Sequence, residues 1–198
     1  MALFTLTNWP LLFISAAMIV CAVIDAWKLK VPNWLTFPLV LSGWGLGLIH
    51  NLGLLTGPDP ENVGGIGASL AGTALGFALL LPVYAIGGMG AGDVKMQMGF
   101  GAWVGAFYGM PQGLTVVFYA FCAAAISGGV LALVMILIRR QFTRNLENTR
   151  EIVADLLNAP GLDAINQKAQ KRKSRLHLLP YGVPLCLGFV GYLLFLQG

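Results

Sequence analysis

Six long apolar runs leave this 198-residue chain few ways to fold: roughly Leu11–Ile24, Trp34–Leu55, Val63–Ile86, Met96–Met110, Leu114–Ile138 and Leu178–Leu196. Most approach the ~20 residues that a helix needs to cross a hydrocarbon core. With 57% hydrophobic and only 10% charged residues, the composition is that of an integral membrane protein. In lipid every backbone polar group must be satisfied within the chain, so only helices and closed barrels span. The ten-residue alternating segments of a barrel are absent. The sequence therefore predicts an all-α polytopic protein with six transmembrane helices. The first run is short unless Phe4–Pro10 extends it, and the fourth ends at Pro111.

The 12 Lys and Arg residues all lie on one side of this layout. Lys28 and Lys30 follow the first run, Lys95 lies between the third and fourth, and Arg139 to Arg175 lie between the fifth and sixth. By the positive-inside rule these three loops are cytoplasmic and both termini face outward. The other loops hold Asp59 and Glu61 and no basic residue. Nothing divides the chain, so residues 1–198 read as a single membrane-embedded domain with a cytoplasmic loop at 139–177. Within that loop Leu146, Val153, Leu156 and Leu157 recur at near-helical spacing among charges, a pattern that suits a helix on the membrane surface and a cytosolic helix equally. Lys168, Lys171, Arg172, Lys173 and Arg175 precede the sixth run, where anionic lipid attracts basic residues; no nucleic-acid partner is needed to explain them.

Met1–Pro10 lacks the basic region of a secretory signal and reads as part of a retained helix. Cys21, Cys122 and Cys186 stand alone in apolar runs, without a CxxC pair, and read as small packing residues. His50 and His177 fall on opposite sides, so no shared metal is expected. Gly64, Ala68, Gly72 and Gly76 lie four apart, as do Gly101, Gly105 and Gly109. Such stripes let helix backbones approach in lipid, which predicts close packing of the third and fourth helices. Pro82 and Pro184 are candidate bends. Trp9, Trp34, Trp103 and Tyr181 fit belts at the membrane surface or the lining of a substrate groove.

The chemistry rests on two acids. Asp25 ends the first apolar run, and Asp93 precedes the fourth after Gly87, Gly88, Gly90 and Gly92. Ionisable groups at membrane depth are costly and mark function by default. Each also has a plain structural explanation. Asp25 could pair with Lys28 at the interface, and Asp93 could be the N-cap of a helix beginning just after it. Against these, the negative end of a helix disfavours Asp25 unless Lys28 or a proton compensates, and a cap does not need four glycines, which allow φ > 0 and close approach. Two carboxyls facing one water would share a proton: one removes a proton from the water while the other polarises a carbonyl or protonates the leaving amine. Lys95 could hold Asp93 ionised, bind a carboxylate, or simply anchor the helix.

Gly90-Ala91-Gly92-Asp93 matches the GxGD signature of membrane-embedded aspartic proteases. Together with Asp25, the basic residues after it, Val31-Pro32-Asn33-Trp34-Leu35-Thr36 and Leu179-Pro180-Tyr181-Gly182-Val183-Pro184, the chain resembles the type IV prepilin peptidases. The resemblance implies that Asp25 and Asp93 are the catalytic pair, that Gly90, Gly92 and Lys95 form the active-site loop, and that Pro180, Tyr181 and Gly182 line a substrate groove. It further implies cleavage of the short basic leader of prepilins at the cytoplasmic face of the inner membrane, with no metal or cofactor. Larger members carry a zinc-binding insert with paired CxxC motifs and also methylate the product; lacking that motif, this chain is expected to be a peptidase only, of the small kind serving tight-adherence (Flp) or archaeal-like pilins. The competing readings are a small proton- or cation-coupled transporter using the two aspartates, though inverted repeats are not evident, and a noncatalytic pilus-assembly scaffold.

Overall fold

Apolar sequence without water to solvate its backbone winds into helices, and the computed structural model contains six of them among its described residues, 8–28, 31–54, 64–85, 88–139 and 181–197, with no strand there. They are α1 (Trp9–Lys28), α2 (Asn33–Asn51), α3 (Ile66–Ala85), α4 (Ala91–Tyr108), α5 (Gln112–Arg139) and α6 (Gly182–Gln197). Three are long and apolar enough to cross a membrane: α1, α3 and the Gln112–Met135 part of α5. The other three fall short for visible reasons. α2 carries polar and small residues along its length, α4 carries Asp93, Lys95 and Gln97 in its first two turns, and α6 has only 16 residues. The amphipathic loop segment, the basic cluster and His177 lie outside the described residues.

α4 is the central helix. Every residue from Gly99 to Tyr108 is buried, and α4 touches all five other helices. Its most extensive partner is α3, and the reason is the pair of small-residue stripes. A Cβ added to Gly72 would collide with the Gly101 carbonyl oxygen, one added to Gly101 with that of Gly72, and one added to Gly105 with that of Ala68. At Gly76 it would lie 2.7 Å from the Gln97 oxygen. Backbones this close gain dispersion contacts, which drive helix association in lipid. A side chain adds to the seam, Ser69 Oγ donating to the Ala102 oxygen at 2.9 Å, and Trp44 Nε1 of α2 donates to Thr73 Oγ1 of α3 at 3.0 Å. Gly109 departs from the expected stripe. It is the C-cap of α4 with φ 73°, a left-handed conformation that glycine adopts without a Cβ clash.

Two other expectations change in the fold. Trp103 is buried within the bundle, 4% exposed, donating its indole N–H to the Leu39 oxygen at 3.0 Å and stacking on Phe13. Trp9 and Trp34 remain exposed. Pro184 is the third residue of α6, in the first turn, where a backbone N–H has no helical partner to lose, so the proline does not interrupt the helix. Pro82 does lie inside α3, as does Pro38 inside α2.

Contacts at one end of the bundle set the stage for the site. Lys95 of α4 reaches Asn33 at the start of α2, Gly92 packs on Val31, and Asp25 near the end of α1 meets the first residue of α6. α3 and α5 run antiparallel to their partners α4 and α6, as the Gly76 to Gln97 and Gly128 to Pro184 contacts show. The last turns of α1 and α3, the C-terminal half of α5 and the first turns of α2, α4 and α6 therefore lie toward one end.

Candidate active site

Asp25 lies inside the last turn of α1, which continues to Lys28, and is 4% exposed. The carbonyl end of a helix repels a carboxylate, so a compensating group is required. Lys28 is exposed to solvent. The group present is the amide of Gly182, which donates to Asp25 Oδ2 at 2.8 Å. Gly182 opens α6, so this N–H is one of the four at a helix start with no partner of its own, and the positive end of α6 faces the acid. Gly182 has to be glycine for this: an added Cβ would lie 2.8 Å from Asp25 Cβ.

Asp93 is 5% exposed and is not the N-cap of α4. The helix begins at Ala91, Gly90 caps it in an extended conformation (φ −83°, ψ 153°), and Asp93 is its third residue. Its Oδ2 accepts the Gly90 N–H at 3.1 Å, the reaching-back half of a capping box; Gly90 has no side chain to supply the other half. Asp93 thus also benefits from a helix N-terminus, its own. The phenol of Tyr181, just ahead of α6, is pushed above its ordinary value by burial and then by the negative charge of Asp93. The two buried acids, 68 residues apart in sequence, each accept a main-chain N–H at a helix start, Asp25 that of Gly182 and Asp93 that of Gly90.

Of the glycines around Asp93, Gly92 serves by close approach, and none of the described ones adopts left-handed backbone. Among the described residues positive φ occurs at Gly53 and Gly109, not at Gly88, Gly90 or Gly92; Gly87 lies outside the described residues. A Cβ on Gly92 would lie 3.0 Å from Val31 Cβ and 3.1 Å from its carbonyl oxygen, so Gly92 lets the segment after α1 seat against α4. On Gly90 the nearest atom would be Asp93 Oδ2 at 3.4 Å, an ordinary contact. Gly92→Ala is therefore expected to cost about 1–3 kcal/mol by overpacking, and Gly90→Ala under about 0.5 kcal/mol. Thermal unfolding of the two variants in detergent checks the difference, and equal midpoints would refute it.

Lys95 donates from Nζ to Asn33 Oδ1 at 2.8 Å and lies over the Phe37 ring, 4.5 Å from its centroid. Its observed role is to fasten α4 to the start of α2. Pro180 lies outside the described residues. Reading the sequence for charge alone passes over two buried polar residues: Gln97 on α4 and Thr36 on α2 are each 0% exposed. Their signal was a polar residue inside an apolar segment.

Neither a curated protein nor a solved structure matches the chain. Residues 12–133 do match a family, and the match includes both Asp25 and Asp93 together with α2, α3 and α4 in the order found in the fold. On that match, which covers more than half of the sequence, the chain belongs to the type IV leader peptidase family.

Proposed function

We propose that the protein is an aspartic endopeptidase that removes the short basic leader of type IV-like prepilins, with Asp25 and Asp93 as its catalytic pair. Family membership supports a prepilin leader peptidase in general terms. The observation that carries the finer reading is that two buried carboxyls at one end of the bundle each accept the amide of a helix start, Asp25 from Gly182 and Asp93 from Gly90. One carboxylate takes a proton from a water whose oxygen adds to the scissile carbonyl carbon. Collapse of that adduct breaks the C–N bond, and the other carboxyl delivers its proton to the departing amine. The helix starts of α4 and α6 stabilise the negative charge that passes between the two acids. Gly90 and Gly92 shape the loop that holds Asp93, Lys95 fastens it, and Pro180, Tyr181 and Gly182 border the groove for the extended leader.

All six helices cross the inner membrane in this reading, as one domain over residues 1–198 with both termini outward. The shared end, where Lys28 and Lys95 lie, is cytoplasmic. A basic leader then meets the acids from the side on which it is made. Without a CxxC pair the protein cleaves and does not methylate, as suits Flp-like pilins. Co-expression with a candidate prepilin tests the reading: the leader should be lost, seen as a gel shift and by mass, and Asp25→Asn or Asp93→Asn should each leave it attached. Normal processing by either variant overturns the assignment.

A further inference from the structure

Cys21 and Cys186 are buried nucleophilic groups that the cleavage chemistry leaves unused, 0% and 8% exposed and both free thiols. Their placement follows from the contact that ties α1 to α6, the Gly182 N–H donated to Asp25. Further from that end, Phe13 of α1 stacks on Trp103 of α4, and Phe189 of α6 stacks on Phe100 of α4, so α1 and α6 run antiparallel. Cys21 is one helical turn before Asp25 and Cys186 one turn after Gly182, each on the same face as that neighbour. In antiparallel helices those two steps lead in the same direction. The thiols therefore face each other one turn inside the acid, near enough to interact electrostatically, Cys21 also with Asp25. The third thiol is elsewhere: Ala124 of α5 packs on Gly188 and Gly128 on Pro184, a register that sets Cys122 beside Val190, a further turn along α6.

Asp25 and Asp93 are 4% and 5% exposed, so no peptide touches them in this arrangement. The backbone lying on Asp25 is that of Gly182, where an added Cβ would be 2.8 Å from Asp25 Cβ. Admitting a peptide to Asp25 requires the start of α6 to move off the end of α1. A covalent link one turn away opposes that movement. A disulfide needs facing Cβ atoms about 3.5–4.5 Å apart, and the two helices already come closer than that at Gly182.

We propose that Cys21 and Cys186 are a modification site, a thiol pair whose oxidation to a disulfide holds α6 on α1 and keeps peptides from the acids. The inference rests on the protease reading. In the oxidation two S–H bonds break and one S–S bond forms. Two electrons and two protons pass to a neutral oxidant of the quinone class, soluble in the bilayer, which becomes a quinol. The cystine is neutral, whereas two thiolates bridged by a monovalent metal would keep a negative charge beside Asp25, at a depth where charge is costly. With this end cytoplasmic, as proposed, the resting state is the dithiol; cytosolic disulfides, where they form, are usually catalytic or redox-sensing.

The test treats purified wild type in detergent with diamide, a neutral two-electron oxidant that is itself reduced to the hydrazine, and then assays cleavage of a synthetic prepilin. The product should lack two hydrogen atoms by intact mass, show Cys21 joined to Cys186 in its peptide map, and unfold at a higher temperature than the reduced form. It should cleave at least about tenfold more slowly, because few molecules reach the open state. Dithiothreitol should restore the rate. Cys21→Ala and Cys186→Ala should each cleave like untreated wild type and be indifferent to diamide, while Cys122→Ala should respond as wild type does. If one of the first two does not fold, the other serves, since either removes the link. Folded wild type in which diamide leaves both thiols free, or joins one of them to Cys122, overturns the pair. A link that forms without slowing cleavage overturns the switch, as does slowing that persists in Cys21→Ala or Cys186→Ala. Reduced wild type that does not cleave, or Asp93→Asn that does, sinks the protease reading and the switch with it, and is recognised without any oxidant.

Discussion

Asp93→Asn and Asp25→Asn are each expected to reduce single-turnover cleavage of a prepilin by about 10³-fold, within the 10²–10⁴ that a positioned acid or base contributes. The substitution removes proton transfer and little else. Asn retains a carbonyl oxygen, so position 93 can still accept the Gly90 N–H and position 25 the Gly182 N–H, the contacts that place the start of α4 and α6. Both variants should therefore fold and unfold near the wild-type temperature while losing activity. In the proposed mechanism the two carboxyls work on one water, so the double variant should be scarcely slower than either single one. Additive losses, each multiplying the other, would mean that the acids act in separate steps.

The second large effect belongs to the α3–α4 seam. Gly101→Val and Gly72→Val are expected to prevent accumulation of folded protein. At both positions a first side-chain carbon already meets a carbonyl oxygen of the facing backbone, which no rotamer change can move aside. Overpacking against yielding side chains costs about 1–3 kcal/mol; against two rigid helices the cost approaches the whole stability of about 5–15 kcal/mol typical of a domain. Gly67→Ala is the matched control, since an added Cβ there meets nothing within 4 Å. Size-exclusion profiles of the detergent-extracted variants read the outcome. A normal monodisperse peak for Gly101→Val would show that the seam is looser than its geometry requires.

The parts of this molecule that could be read in advance are those governed by local pattern. Apolar run length located the helices, and fourfold spacing of glycine identified the seam, because both follow from helical periodicity alone. Asp25 and Asp93 stood out because a charge in an apolar context is conspicuous. What could not be read is what each acid leans on. Asp93 as third residue of α4, not its cap, depends on where the helix starts, and a glycine-rich lead-in leaves that start undefined by a few residues. Asp25 was expected to need Lys28 or a proton; its partner is a main-chain N–H 157 residues away, and backbone groups carry no signature in a sequence. Trp103 looked like an interfacial anchor by residue type, whereas its burial follows from the central place of α4, a property of tertiary packing.

The donor that steadies Asp25 comes from a helix beyond residue 133, where the family match ends. During synthesis the acids at 25 and 93 emerge long before residue 182, so a partly inserted chain carries both of them without the contact that neutralises the carbonyl end of α1. Under the proposed mechanism, the acids gain their full setting only once α6 has been inserted.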